Sequence, residues 1–127
     1  MKVLVVDDQA PFRAAAKRVV AMTAGFDVIG EATSGEEAVD MAAALEPDLV
    51  LMDINLPGIN GIEAVRRIEG TRPQTVAFLL STYAVADLPA DARTCGAVAY
   101  IHKEKFMPQL LSDLWESGGD PTWPVAS

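Results

Sequence analysis

The chain has 127 residues, half of them hydrophobic and 22% charged, with a formal net charge of -8. That length suits one domain with a real core, and the composition is that of a globular protein rather than a disordered one. The acidic balance argues against a surface built to bind the phosphate backbone of nucleic acid, and no apolar run approaches the length of a membrane span. A single cysteine, Cys95, rules out an internal disulfide, fits a cytoplasmic setting and reads as a small buried hydrophobe.

Taken in order, the chain alternates apolar runs with amphipathic stretches, the pattern of a parallel α/β sheet. Val3–Val6 is the first strand, followed by a helix from Pro11 to about Thr23 with Phe12, Ala15, Ala16, Val19 and Val20 on one face. Phe26–Ala32 is a second strand. Ser34 caps a helix over Gly35–Leu45, and Glu37 completes the spacing of a capping box. Asp48–Asp53 is a third strand and Asn60 to about Ile68 a third helix. Gln74–Ser81 and Ala97–His102 are the fourth and fifth strands. Between them Pro89 restricts the fourth helix to a short one beginning near Leu88, after a loop. The last helix spans about Lys105 to Glu116, with Phe106, Leu110, Leu111, Leu114 and Trp115 as its core stripe. The expected domain is 1–117, and 118–127, opened by Gly118-Gly119, is expected to be a C-terminal tail or a truncated linker.

Chemistry concentrates at the strand ends. Asp7 and Asp8 follow the first strand and Asp53 closes the third. In an open parallel sheet these ends share one rim, where ligands bind. Three carboxylates there repel one another unless a hard cation or a shared proton holds them, so a magnesium-type site is the leading expectation. A lone Asp7 or Asp8 is equally well read as a helix cap, but three at strand ends are not. Ser81 after the fourth strand and Lys103 after the fifth bring a hydroxyl and an ammonium to the same rim. In isolation, Ser81 is as readily a turn residue and Lys103 a solvated surface lysine. In the loop Ile54–Gly61, Pro57-Gly58 favours a tight turn, and Gly61 permits a close backbone approach.

Asp7-Asp8, Met52-Asp53-Ile54-Asn55-Leu56-Pro57 with Gly61, Ser81 and Lys103 together resemble the receiver domain of bacterial two-component response regulators. The resemblance covers about residues 2–116, in the family's order and spacing. It implies a flavodoxin-like three-layer (βα)5 sandwich with a parallel five-stranded sheet in order 2-1-3-4-5, a fold for which receivers are a standard example. It further implies that Asp53 is the phosphoacceptor. Asp8, Asp53 and the Asn55 carbonyl would be direct Mg²⁺ ligands, with Asp7 a ligand through water. Ser81, Thr82 and Lys103 would meet the phosphoryl group, and Ser81 and Tyr100 would form the switch.

The implied function is that of a phosphorelay signalling switch rather than an enzyme. Its implied partners are a sensor histidine kinase or phosphotransfer protein, and a downstream protein or tethered output domain; dimerisation on phosphorylation is common in the family. Alternatives are a haloacid-dehalogenase-type phosphatase, which wants an aspartate where Asn55 stands, and a degenerate docking module, against which the intact acidic set argues. The phrase Gly96–Lys103 is similar to receivers that precede LuxR-type DNA-binding domains, which points to a longer regulator. Three positions depart from the family pattern: Thr82 in place of a small residue, Glu104 in place of a frequent proline, and Pro89 in the readout helix. Asn55 and Tyr83 occupy positions that in this family influence acyl-phosphate lifetime.

Overall fold

The computed structural model describes residues 1–123. Five strands, β1 (Lys2–Val6), β2 (Asp27–Ala32), β3 (Leu49–Asp53), β4 (Val76–Ser81) and β5 (Ala99–His102), form one sheet in the order β2-β1-β3-β4-β5. Every pairing is parallel. The order agrees with the sequence expectation, and the strand ends move by no more than two residues.

The strands read as near-continuous apolar runs because both sheet faces are covered. Val3, Val5, Leu49, Leu51, Phe78, Leu80, Ala99 and Ile101 point to one face, under helices α1 (Ala10–Ala21) and α4 (Pro108–Glu116). Leu4, Val6, Val50, Met52, Ala77 and Leu79 point to the other, under α2 (Gly35–Leu45) and α3 (Gly61–Thr71). β3, buried at all five positions, lies at the centre of the sheet.

Three local expectations are revised. Ser34 does cap α2, accepting a hydrogen bond from the Glu37 amide at 3.1 Å, but the Glu37 carboxylate reaches back to the Thr33 amide rather than to Ser34. The last helix starts at Pro108 instead of near Lys105. Proline holds Met107 extended at φ -146° and ψ 161°, so Lys103–Lys105 closes as a separate 3-10 turn. The fourth crossover contains no α-helix. Pro89 keeps Leu88 extended at φ -67° and ψ 145°, and the segment divides into 3-10 turns at Val85–Asp87 and Ala90–Arg93. Among the described residues the sandwich therefore has four α-helices, with a compact irregular crossover between β4 and β5.

Gly61 opens α3 directly beneath the end of β3, and its amide donates to the Ile54 carbonyl at 2.8 Å. A Cβ there would collide with the Asp53 carbonyl oxygen, which is backbone and has no room to retreat. Gly61→Ala is expected to cost about 3 kcal/mol, at the upper end of overpacking effects, measured by urea unfolding. Unchanged stability would contradict the close approach. Gly58, at φ +73°, supplies the left-handed residue of the turn that Pro57-Gly58 announced.

Candidate functional site

β1 and β3 are neighbours in register, Val6 opposite Met52, so the residues that follow them emerge side by side at the carboxyl rim. This brings Asp7, Asp8 and Asp53 together, each offering one carboxylate oxygen within 4.8 Å of the others. Asp7 is fully buried, Asp53 is 4% exposed, and Asp8 opens to solvent. β4 and β5 deliver the rest of the rim. Asp8, Asp53, Asn55, Ser81, Thr82 and Lys103 line a cleft of about 500 Å³, joined by Gln9, Phe12 and Glu104.

Lys103 organises the charge. Its Nζ donates to Asp7 Oδ2 at 2.7 Å and lies 3.4 Å from Asp53 Oδ1, with only 13% of the side chain exposed. The ammonium also sits 4.5 Å from the centre of the Phe12 ring, a cation–π contact that replaces some of its lost hydration. Asp7 is further held by the Gln9 amide at 2.8 Å, while its own carbonyl accepts from Arg13 at 2.7 Å. Asp7 thus lies beneath the cleft as the partner of Lys103, and Asp53 is the buried carboxylate that faces the opening. Burial first, and then the Asp7 charge, push the Asp53 carboxyl up to about 6, against the downward pull of Lys103.

The remaining rim residues are tied together. The Tyr83 amide donates to Ser81 Oγ at 3.2 Å, and the Tyr83 hydroxyl donates to Asn55 Oδ1 at 3.2 Å, spanning the side of the cleft. Glu104 stands where proline is frequent, and its amide donates to His102 Nδ1 at 3.1 Å. That bond makes Nδ1 the acceptor, so Nε2 carries the proton and donates to the Thr82 carbonyl at 3.1 Å. His102 therefore fastens the turn holding Lys103 to the loop holding Thr82. Tyr100 stands behind the rim rather than in the cleft. Its hydroxyl proton is shared between the carbonyls of Ser81 at 3.0 Å and Tyr83 at 2.6 Å. Cys95 is buried beside Ala92, and burial raises its thiol, which suits packing rather than nucleophilic chemistry.

The sequence brings the three aspartates, Ser81, Thr82 and Lys103 to the rim but gives no sign of Gln9, Phe12 or His102 there. Phe12 reads as part of the core stripe of the first helix, which gives no signal of a cation above its ring. His102 is a lone histidine at a strand end, and its role depends on a turn that the sequence does not announce.

The donor set fits a magnesium-type ion: hard oxygens from three carboxylates, one of them solvent-facing, with Asn55 beside them. No helix among the described residues is long and apolar enough to cross a membrane.

Residues 3–114 match the family described as response regulator receiver domain. Among curated relatives, response regulator UvrY of Escherichia coli O157:H7 is 38% identical over 112 residues, covering 88% of this chain and 51% of that protein. The response regulator domain of Thermotoga maritima CheB superposes with a TM-score of 0.82 at 32% identity, covering 95% of this chain and 98% of that one. A LuxR-family two-component response regulator from Aurantimonas sp. SI85-9A1 gives 0.84 at 28% identity, covering 97% and 89%. The chain spans about half the length of the first curated relatives it matches.

Proposed function

The chain belongs to the response regulator receiver domain family, and we propose that it works as a phosphorylation switch whose acceptor is Asp53. One observation carries this reading. Asp53 alone combines a nearly buried carboxylate, a position on the cleft wall and a lysine ammonium at 3.4 Å. A carboxylate oxygen there can form a bond to phosphorus while the bond from phosphorus to the donor's imidazole nitrogen breaks, and the departing imidazole takes up a proton. The donor is a phosphohistidine on a sensor histidine kinase or phosphotransfer protein.

Each neighbour has a distinct task. Lys103 is already desolvated and oriented by Asp7 and Phe12, so its charge can meet a phosphoryl oxygen without searching for it. The Ser81 hydroxyl keeps its proton free to donate while it accepts from Tyr83. Thr82 narrows the entrance beside it. Asp8 and Asp53, with the Asn55 carbonyl, are the groups to hold Mg²⁺ directly, and Asp7 supports them from below. When bound, Mg²⁺ supplies the positive charge that offsets the phosphoryl oxygens.

The product is an acyl phosphate that alters the surface around β4 and β5, read by a protein partner or a tethered output domain. The role in this reading is signalling rather than metabolic turnover. Beryllofluoride, a phosphoryl mimic, tests the proposal by titration. Saturable binding is expected only with Mg²⁺ present and is expected to vanish in Asp53→Asn. Equal binding by the variant would overturn the assignment.

A further inference from the structure

Outside the cleft, Trp123 follows the last helix and has no part in the acidic site. It is 3% exposed and belongs to the same buried cluster as Ala92, Cys95 and Ala97. The chain reaches it by a specific path. The Gly119 amide donates to the Leu114 carbonyl at 2.8 Å, and the Asp120 amide donates at 2.9 Å to the carbonyl of Val98, the residue before β5. Asp120 then closes a turn by accepting from the Thr122 amide at 2.9 Å, and the Trp123 amide donates to the Asp120 carbonyl at 3.0 Å.

Two residues receive the indole. Its ring stacks on Tyr100 with centroids 5.8 Å apart and planes inclined by 29°. The Arg93 guanidinium lies 4.4 Å from the centre of the indole, and the same side chain donates to the Trp123 carbonyl at 2.7 Å. Arg93 belongs to the 3-10 turn Ala90–Arg93, so the indole packs against the place where the fourth helix is absent.

We propose that Gly119–Trp123 is a built-in ligand of the face formed by β5 and the Ala90–Arg93 turn, and that Trp123 acts as a latch on Tyr100. The Tyr100 hydroxyl is anchored to the carbonyls of Ser81, which ends β4, and of Tyr83 just beyond it, and the indole stacks on its ring. The indole fills the volume on the stacked side of the Tyr100 ring, so an outward swing in that direction is blocked. Trp123 thus selects the inward Tyr100 before any phosphoryl group arrives.

The second half of the inference, which rests on the phosphoacceptor reading, is a coupling. Drawing Ser81 toward a phosphoryl group shifts the same carbonyls that hold Tyr100. In the coupling proposed here the phosphorylated site favours the same Tyr100 position as the indole does, so the two influences strengthen each other and the effect is reciprocal. A partner for this face must displace the indole, so it competes with the chain's own segment.

The latch is tested on the full chain without metal or donor. A Trp115→Phe background leaves Trp123 as the sole tryptophan. Its fluorescence is expected to resist iodide quenching, and Arg93→Ala, which removes the guanidinium and its carbonyl bond, is expected to restore quenching. In Trp123→Ala the Tyr100 ring resonances are expected to shift and average. Trp123→Phe retains a stacking ring and is expected to fall between, provided each variant keeps the native circular dichroism. A freely quenched Trp123 in the parental background, or Tyr100 resonances identical in native protein and Trp123→Ala, would overturn the latch.

The coupling is read by beryllofluoride with Mg²⁺, whose affinity is expected to fall at least about fivefold in both Trp123→Ala and Arg93→Ala, the low end for linked sites. Equal affinities overturn the coupling but not the latch. Failure of the native chain to bind beryllofluoride overturns the phosphoacceptor reading and the coupling with it, while quenching still decides the latch.

Discussion

Asp53→Asn is expected to stabilise the metal-free protein above about pH 6 by on the order of 2 kcal/mol, although it removes the reactive group. The native carboxyl is raised from 3.8 to about 6 by burial and by Asp7, so the folded chain holds this proton more tightly than the unfolded chain does. Below the unfolded value both states are protonated and the carboxyl costs nothing. As pH rises from about 4 to about 6 the unfolded state releases its proton first, and stability falls by about 1.4 kcal/mol for each unit of separation. Above about 6 the full penalty is in place.

Asparagine occupies nearly the same volume without a charge, so its advantage should appear across that interval and level off above it. Urea unfolding at a series of pH values checks this. Mg²⁺ should reverse the order near neutrality, stabilising the native chain by mass action far more than the variant. A variant no more stable than the native chain at pH 8 without metal would mean that Asp53 is not strained by its surroundings.

Lys103→Met is expected to move stability in the opposite direction. Its ammonium pairs with the carboxylate of fully buried Asp7 at 2.7 Å, and deleting one partner of a buried pair leaves the other uncompensated. The expected loss is about 3 kcal/mol at neutral pH without metal, measured by urea unfolding. Added Mg²⁺ should bind severalfold more tightly than to the native chain, because the competing charge is gone, and should recover much of the lost stability. Phosphorylation should nonetheless slow by about a hundredfold, the scale of removing one charge that meets the transferring group. Tighter metal binding with slower transfer separates a phosphoryl-binding lysine from one that merely neutralises the carboxylates. A variant with weaker metal binding and normal transfer would contradict that role.

The two substitutions remove opposite charges 3.4 Å apart, and their contrast follows from what surrounds each. Asp53 is penalised first by burial and then by repulsion from Asp7, and gains relief when neutralised. Lys103 relieves that repulsion and leaves it unscreened when removed.

Much of this site was legible in the sequence because it depends on short-range rules. A carboxylate directly after an apolar strand must emerge at the strand's end, and parallel pairing then collects Asp7, Asp8, Asp53, Ser81 and Lys103 at one rim. Helix α2 was equally local, since the Ser34 cap and the apolar spacing lie within one segment. What escaped prediction depended on contacts distant in sequence or on competition within the backbone. Pro89 signalled a difficulty in the fourth crossover, but whether a short α-helix or 3-10 turns result is settled by packing on β4 and β5. Trp123 sits in a stretch without periodicity, and nothing near it in sequence reveals Tyr100 and Arg93 as its neighbours. That Lys103 would pair with Asp7 more closely than with Asp53 likewise depends on contacts distant in sequence.

The central claim is that this chain takes a phosphoryl group on Asp53. Incubation with acetyl phosphate and Mg²⁺, followed by intact-mass measurement, tests it most directly. The native chain should gain the mass of one phosphoryl group, lose it on mild base treatment as an acyl phosphate does, and gain none when Mg²⁺ is chelated; Asp53→Asn should gain none under any condition. An unmodified native chain, or equal modification of native and variant, would contradict it.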